Sequence, residues 1–261
     1  RGFFAIMRAG RKSNVPKAEK QIISFKNGLA ELPQLLVAAL GKSVHTNVSI
    51  SSIQKIGLGW RVDWNGKTNI YDEVLLTTPA HALDKLPLDE SLQKALQPLL
   101  AIDYSPVSVL TVAFKRSDVA HPLDGFGVLV PEYEGRKILG ALFPASLFAS
   151  RAPADEVLLT VFVGGERQAG LAVPDKDTLL ATVLPELNEL FGTTGEPTFS
   201  HHRHWPRAIP QYNLGYGKML AQMDAIEKKF VGLKLAGNYR DGISLSYCIE
   251  AAVSKEGHVT A

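Results

Sequence analysis

The most specific chemical signal in this chain is a pair of glycines where a strand hands over to a helix. Leu233 to Ala236 reads as a short strand, Gly237 and Asn238 as the turn after it, and Gly242 as the residue before a helix opening at Ile243 and Ser244. A turn without a Cβ lets backbone approach a bulky ligand. A helix start leaves free N–H groups and a positive dipole end aimed at something electron-rich. An ordinary strand–turn–helix connection has the same pattern. The second candidate is Trp205, followed by Ala208-Ile209-Pro210-Gln211-Tyr212 and Gly215. Its ring can stack on a planar ligand or simply pack in a core. His201, His202 and His204 invite a metal reading, yet only His202 and His204 can share a strand face. No Asp, Glu or Cys lies nearby to complete a ligand set, so no metal is expected.

Other catalytic patterns are missing from the sequence. It has no G-x-G-x-x-G opening a βαβ unit, no Walker loop, no H-E-x-x-H and no G-x-S-x-G elbow. Its single cysteine, Cys248, rules out an internal disulfide framework. With 28 Lys and Arg against 26 Asp and Glu, the net charge of +2 leaves no footprint for nucleic acid. No run approaches the roughly 18 apolar residues of a membrane span. At 261 residues and 46% apolar, the chain has ample material for a core.

The elements that must position these residues follow from periodicity. Leu29, Leu32, Leu35, Leu36, Ala39 and Leu40 predict a helix over 24–41, capped by Asn27 and stopped by Gly41. Val44, Thr46, Val48 and Ile50 alternate as a strand, and Trp60, Val62 and Trp64 alternate ahead of the tight-turn pair Asn65-Gly66. The apolar run over 70–78 ends at Pro79, and a helix is expected over 87–100. Residues 107–114, 126–130, 137–143 and 157–163 read as strands of an antiparallel sheet, followed by a helix over 177–191. Residues 199–205 read as a strand, with a loop running on through Gly217. A helix over 218–230 then precedes the closing strand and helix.

Several of these stretches, in order along the chain, resemble the protoporphyrinogen oxidases of the FAD-dependent superfamily that also holds monoamine oxidases and phytoene desaturases. They are Trp205 through Gly215, with Tyr216 where the family commonly has His, and Leu235-Ala236-Gly237-Asn238-Tyr239 with Gly242-Ile243-Ser244-Leu245 and Cys248-Ile249-Glu250. Upstream, Asp124 through Pro131, Phe148 through Pro153 and Phe162-Val163-Gly164-Gly165 carry the same likeness.

The resemblance implies an α+β chain, with the later segments of an FAD/NAD(P)-binding domain and an antiparallel-sheet substrate domain with packed helices. Its expected divisions are a connector over 1–24, FAD-domain segments over 25–86 and 205–261, and the substrate domain over 87–204. It further implies that Gly237, Asn238, Gly242, Ile243 and Ser244 line FAD, that Ile50 and Thr78 lie near its adenine end, and that Trp205 sits close to the flavin ring. Phe126, Leu129 and Phe162 would form the apolar walls of a tetrapyrrole cavity. The implied reaction is oxidation of protoporphyrinogen IX or coproporphyrinogen III to the porphyrin, with oxygen as acceptor and no residue named as general base. Another flavin oxidase or desaturase, or a non-catalytic porphyrin-binding module, is the alternative.

The family's N-terminal βαβ with its Gly-rich turn has no counterpart here, nor does its helical subdomain with an arginine for a substrate propionate. Together they make up roughly the first two-fifths of a member, judged by domain size. We therefore expect a C-terminal part, opening on Arg1-Gly2-Phe3-Phe4, inactive alone and a weak binder of FAD. It would need the N-terminal segment as partner and self-associate through exposed apolar surface without it. The expected location is the cytoplasm, with peripheral attachment to the inner face of the membrane as the family variant.

Overall fold

The structure is a computed structural model that describes residues 22–148 and 150–256. The expected connector over 1–24 lies outside these residues except at its last three positions. The chain divides into two compact units at Thr46/Asn47. In the first, α1 spans Glu31–Leu40, shorter than predicted. Its N-cap is Ala30 rather than Asn27, whose backbone N–H instead donates to the Glu31 carboxylate at 3.0 Å. Gly41 ends the helix at φ 53°, as its type requires.

The second unit opens with an antiparallel sheet, β1 (Ile50–Ile56), β2 (Gly59–Trp64) and β3 (Lys67–Tyr71). The strand expected from Val44 begins only at Ile50, because Asn47 takes a left-handed φ of 55° and breaks the extended path. Asn65 and Gly66 both have positive φ, the geometry a tight hairpin needs. The run over 70–78 divides at Asp72. After β3 comes β4 (Val74–Leu76), which belongs to another sheet and pairs in parallel with β10 (Leu233–Leu235). Next come α2 (Glu90–Leu96), capped by the Asp89 carboxylate on Leu92 N–H, and a 310 turn over Gln97–Ala101.

A five-stranded antiparallel sheet follows, in the order β6-β7-β8-β5-β9. Its strands are β5 (Tyr104–Lys115), β6 (Gly127–Leu129), β7 (Gly140–Leu142), β8 (Glu156–Gly164) and β9 (Phe199–Pro210). Strand β9 takes in much of the loop expected after Trp205. The short α3 (Pro144–Leu147) and the long α4 (Lys176–Phe191) lie between these strands in sequence. The chain ends with α5 (Tyr216–Lys229), the one-turn α6 (Asn238–Asp241) and α7 (Leu245–Glu256).

Two cores hold this unit. Leu110, Val112, Leu159 and Val161 of the five-stranded sheet bury against Leu179, Val183 and Leu187 of α4. Each fully buried aliphatic side chain contributes about 1.5–3 kcal/mol. The other core joins Ile53 and Trp60 to Leu83, Leu92, Leu96, Leu99, Met223 and Leu235. Leu88 through Ile102 thus pack with the flanking segments, and the packing changes over near residue 103 rather than 87. The five-stranded sheet likewise runs past 204 to Pro210.

Candidate functional site

Two regions bring predicted residues together. The first is the C-terminal end of the parallel pair. Leu76 lies opposite Leu235, and Ala236 N–H donates to Leu76 O at 3.0 Å, so Thr77-Thr78 and Gly237-Asn238 leave the pair side by side. Ligands of open α/β sheets bind beyond such strand ends. Gly237 has a φ of 137°, where a side chain is strained, and a Cβ there would meet the Tyr239 ring at 3.2 Å. Gly242, at φ 117°, would meet Tyr247 at 2.9 Å. Ser244 Oγ accepts the Tyr247 N–H at 3.1 Å and so caps α7, leaving the first helical N–H groups without backbone partners. Ile243 stands half-exposed beside that cap.

Tyrosines pin this turn. Tyr212 donates its hydroxyl to the Asn238 carbonyl, Tyr216 to that of Tyr239, and Ala80 N–H donates to Tyr104 at 3.1 Å. Burial pushes all four phenols, Tyr104, Tyr212, Tyr216 and Tyr239, above the ordinary range, so they remain neutral. Arg240 braces the turn from α6 through Asp224 at 2.8 Å and Glu227 at 3.1 Å. Three buried polar atoms here have no partner: Thr78 Oγ1, His81 Nδ1 and the Tyr239 hydroxyl. A cavity of about 470 Å3 opens alongside, lined by Val74, Leu75, Thr77, Ala236, Gly237 and Cys248 among others. Ile50 lies elsewhere, opening β1 opposite Trp64.

The second region is the face of the five-stranded sheet turned away from α4. Residues paired across an antiparallel ladder share a face. The register therefore sets Leu129, Gly140, Phe162, Val109 and Arg203 in one row, with Gly127, Leu142, Thr160, Thr111 and His201 in the next. Trp205 follows on the same face, opposite Val107. Leu129 is 90% exposed and Trp205 46%, and the two glycines keep the surface between large side chains low. Phe126 lies just ahead of β6, half-exposed and off this register, its carbonyl accepting Phe143 N–H at 3.0 Å.

The histidines divide between the faces. His201 shares the open one, while His202 and His204 turn toward the α4 side opposite Leu110 and Ser108. Ser108 Oγ donates to Val173 O at 2.8 Å and lies 3.1 Å from His204 Nδ1. Among the described residues no group of three or more His, Cys, Asp or Glu comes together as a metal site.

Sequence reasoning missed the tyrosine clamp. Tyr212 and Tyr239 were visible only as letters of motifs, and Tyr104 fell ahead of the strand predicted over 107–114. A cluster of aromatic hydroxyls drawn from three separate segments leaves no local signal. Arg203 was missed too, because an arginine between histidines on an edge strand looks like solvated surface.

The comparisons fit this geometry. The protoporphyrinogen oxidase of tobacco mitochondria is 38% identical over 185 residues, covering 69% of this chain and 37% of that protein. Protoporphyrinogen oxidase 2 of Arabidopsis thaliana, chloroplastic and mitochondrial, is 32% identical over 89% of this chain and 49% of its own length. A crystal structure from Exiguobacterium sp. 255-15, provisionally named a protoporphyrinogen oxidase, superposes with a TM-score of 0.78 at 22% identity, covering 97% of this chain and 54% of that one. The chain thus spans about half or less of the length of the curated relatives it matches. Residues 6–254 match the family described as flavin containing amine oxidoreductases, and the chain belongs to that family.

Proposed function

We propose that the protein containing this chain oxidises a porphyrinogen, protoporphyrinogen IX or coproporphyrinogen III, to the porphyrin of heme biosynthesis, with FAD as cofactor and oxygen as acceptor. The observation that carries this reading is the course of β9. On the open face it bears Trp205 beside the apolar row of Leu129, Phe162 and Val109. A few residues on it becomes the segment whose Tyr212 holds the Asn238 carbonyl. A flat apolar ligand on the sheet is thereby set next to the glycine turn. The likeness to plant protoporphyrinogen oxidases points to the same substrate class.

The residues present fit a flavin nucleotide in part. The bare backbone at Gly237, the unpartnered buried Thr78 hydroxyl and the parallel strand ends suit a polar, bulky group. Gly237, Asn238, Gly242, Ile243 and Ser244 would hold it, with Thr78 toward its adenine end and Trp205 toward its ring, while Ile50 stands apart at the start of β1. No Gly-rich turn for the pyrophosphate occurs in the sequence, so the chain alone binds FAD weakly and depends on the family's N-terminal segment. Bound flavin supplies the two-electron acceptor chemistry.

The chain's own residues do the rest. The face formed by Leu129 and Phe162, with Phe126 at its margin, takes the tetrapyrrole and strips water from it. The start of α7 favours negative charge where electrons arrive. Six hydrogens leave the porphyrinogen as three hydride–proton pairs, and three molecules of oxygen become hydrogen peroxide. Without its N-terminal segment the chain self-associates through exposed apolar side chains such as Leu75, Ile243 and Val253.

Among the described residues no helix is long and apolar enough to cross a membrane. We place the protein in the cytoplasm or at the inner face of a membrane as a peripheral protein. The test of function is turnover of porphyrinogen by the complete protein, followed as porphyrin fluorescence, with an amine and a polyene as rival substrates. Porphyrin formation with flavin reduction supports the reading. Turnover of only an amine or polyene, or porphyrin binding without turnover, overturns it.

A further inference from the structure

The two rows of the open face that run through Leu129 and Gly127 carry one permanent charge. These rows hold no Asp or Glu, and their cation is Arg203, at the β9 end of the row through Leu129, Phe162 and Val109; the other charged residues that the register sets on this face, Lys115 and Glu156, stand opposite each other three rows beyond Val109. The guanidinium lies over the Trp205 ring, 4.7 Å from its centroid. Stacking of this kind restrains an arginine while leaving its N–H fork free. Arg203 makes no ion pair or hydrogen bond with any other described residue, unlike Arg136 and Arg240, which are each tied to two carboxylates. An oriented, unneutralised guanidinium at the end of an apolar row without acidic residues is complementary to a ligand that is apolar across its body and anionic at one edge. Two inter-strand spacings, about 10 Å, separate Phe162 from Arg203, so one flat ring system reaches both.

We infer that Arg203 reads a carboxylate of the substrate: a ring propionate pairs with the guanidinium while the macrocycle lies over Val109 and Phe162. This specificity role rests on the porphyrinogen reading above. Arg203 fixes which edge of the ring faces β9 and takes no part in electron transfer.

The test is a fluorescence titration of this chain with protoporphyrin IX and with its dimethyl ester, whose carboxylates are neutralised. It compares the unaltered chain with Arg203→Gln and Arg203→Lys. The unaltered chain is expected to bind both. In Arg203→Gln the diacid is expected to bind at least about tenfold more weakly, the scale of one charged hydrogen bond, with the ester unchanged. Arg203→Lys is expected to recover part of the loss. Equal affinities in the unaltered chain and Arg203→Gln, or equal losses for diacid and ester, overturn the role of Arg203 and leave the porphyrin reading standing. Binding of neither ligand by the unaltered chain overturns the sheet face as the substrate surface, and this inference with it.

Discussion

The end of the parallel pair and the open face of the five-stranded sheet solve opposite problems. At the first, backbone is exposed to a ligand by removing side chains and then held by tyrosine hydroxyls on the Asn238 and Tyr239 carbonyls. At the second, backbone is satisfied within the ladder and the side chains form the surface, with Leu129 and Trp205 left uncovered at either side of an apolar row. A rigid polar turn suits a tightly held group, and an open apolar face suits a molecule that must enter and leave. The contrast predicts that damage to the turn falls on stability and cofactor together, and damage to the face falls on substrate alone.

The largest expected effect separates packing from polarity at the turn. Tyr239 is fully buried, so Tyr239→Ala should cost about 3–5 kcal/mol in denaturant unfolding. Tyr239→Phe should change stability by less than about 1 kcal/mol, because the hydroxyl it removes has no partner. Gly237→Val comes next. Its positive φ and the contact with Tyr239 should cost about 1–3 kcal/mol, and flavin should be lost from the complete protein. Phe162→Ala, on the uncovered side of β8, should cost about 1 kcal/mol or less while weakening protoporphyrin binding about tenfold, read by fluorescence titration.

The smallest effect is one of pH. Burial is the main reason His81 and His202 titrate below the ordinary value of 6.5. Between the folded and unfolded values the unfolded chain binds more protons. Stability is therefore full above about pH 6.5 and falls as the solution is acidified through that window. Denaturation midpoints should fall on acidification, and less steeply in a His81→Gln, His202→Gln double variant.

The two regions were unequally legible in sequence. Gly237 and Gly242 stood out because a left-handed backbone demands glycine, and their neighbours came with them. The helix over 177–191 and the Asn65-Gly66 hairpin were equally plain, since period and turn chemistry are local. The open face was not plain. Leu129 and Phe162 alternate within their strands as core residues do, and only the pairing of four strands shows that α4 covers the other side. Nor did the pattern from Val44 to Ile50 reveal the left-handed Asn47 that delays its strand. The division of residues 70–78 between two sheets depends on β10, more than a hundred and fifty residues away.

The most direct test of this division of labour is flavin retained per protein after gel filtration, read from visible absorbance, in Gly237→Val and Phe162→Ala forms of the complete protein. The account predicts that Gly237→Val elutes without flavin and that Phe162→Ala keeps it in full. Flavin retained by Gly237→Val, or lost from Phe162→Ala, would contradict it.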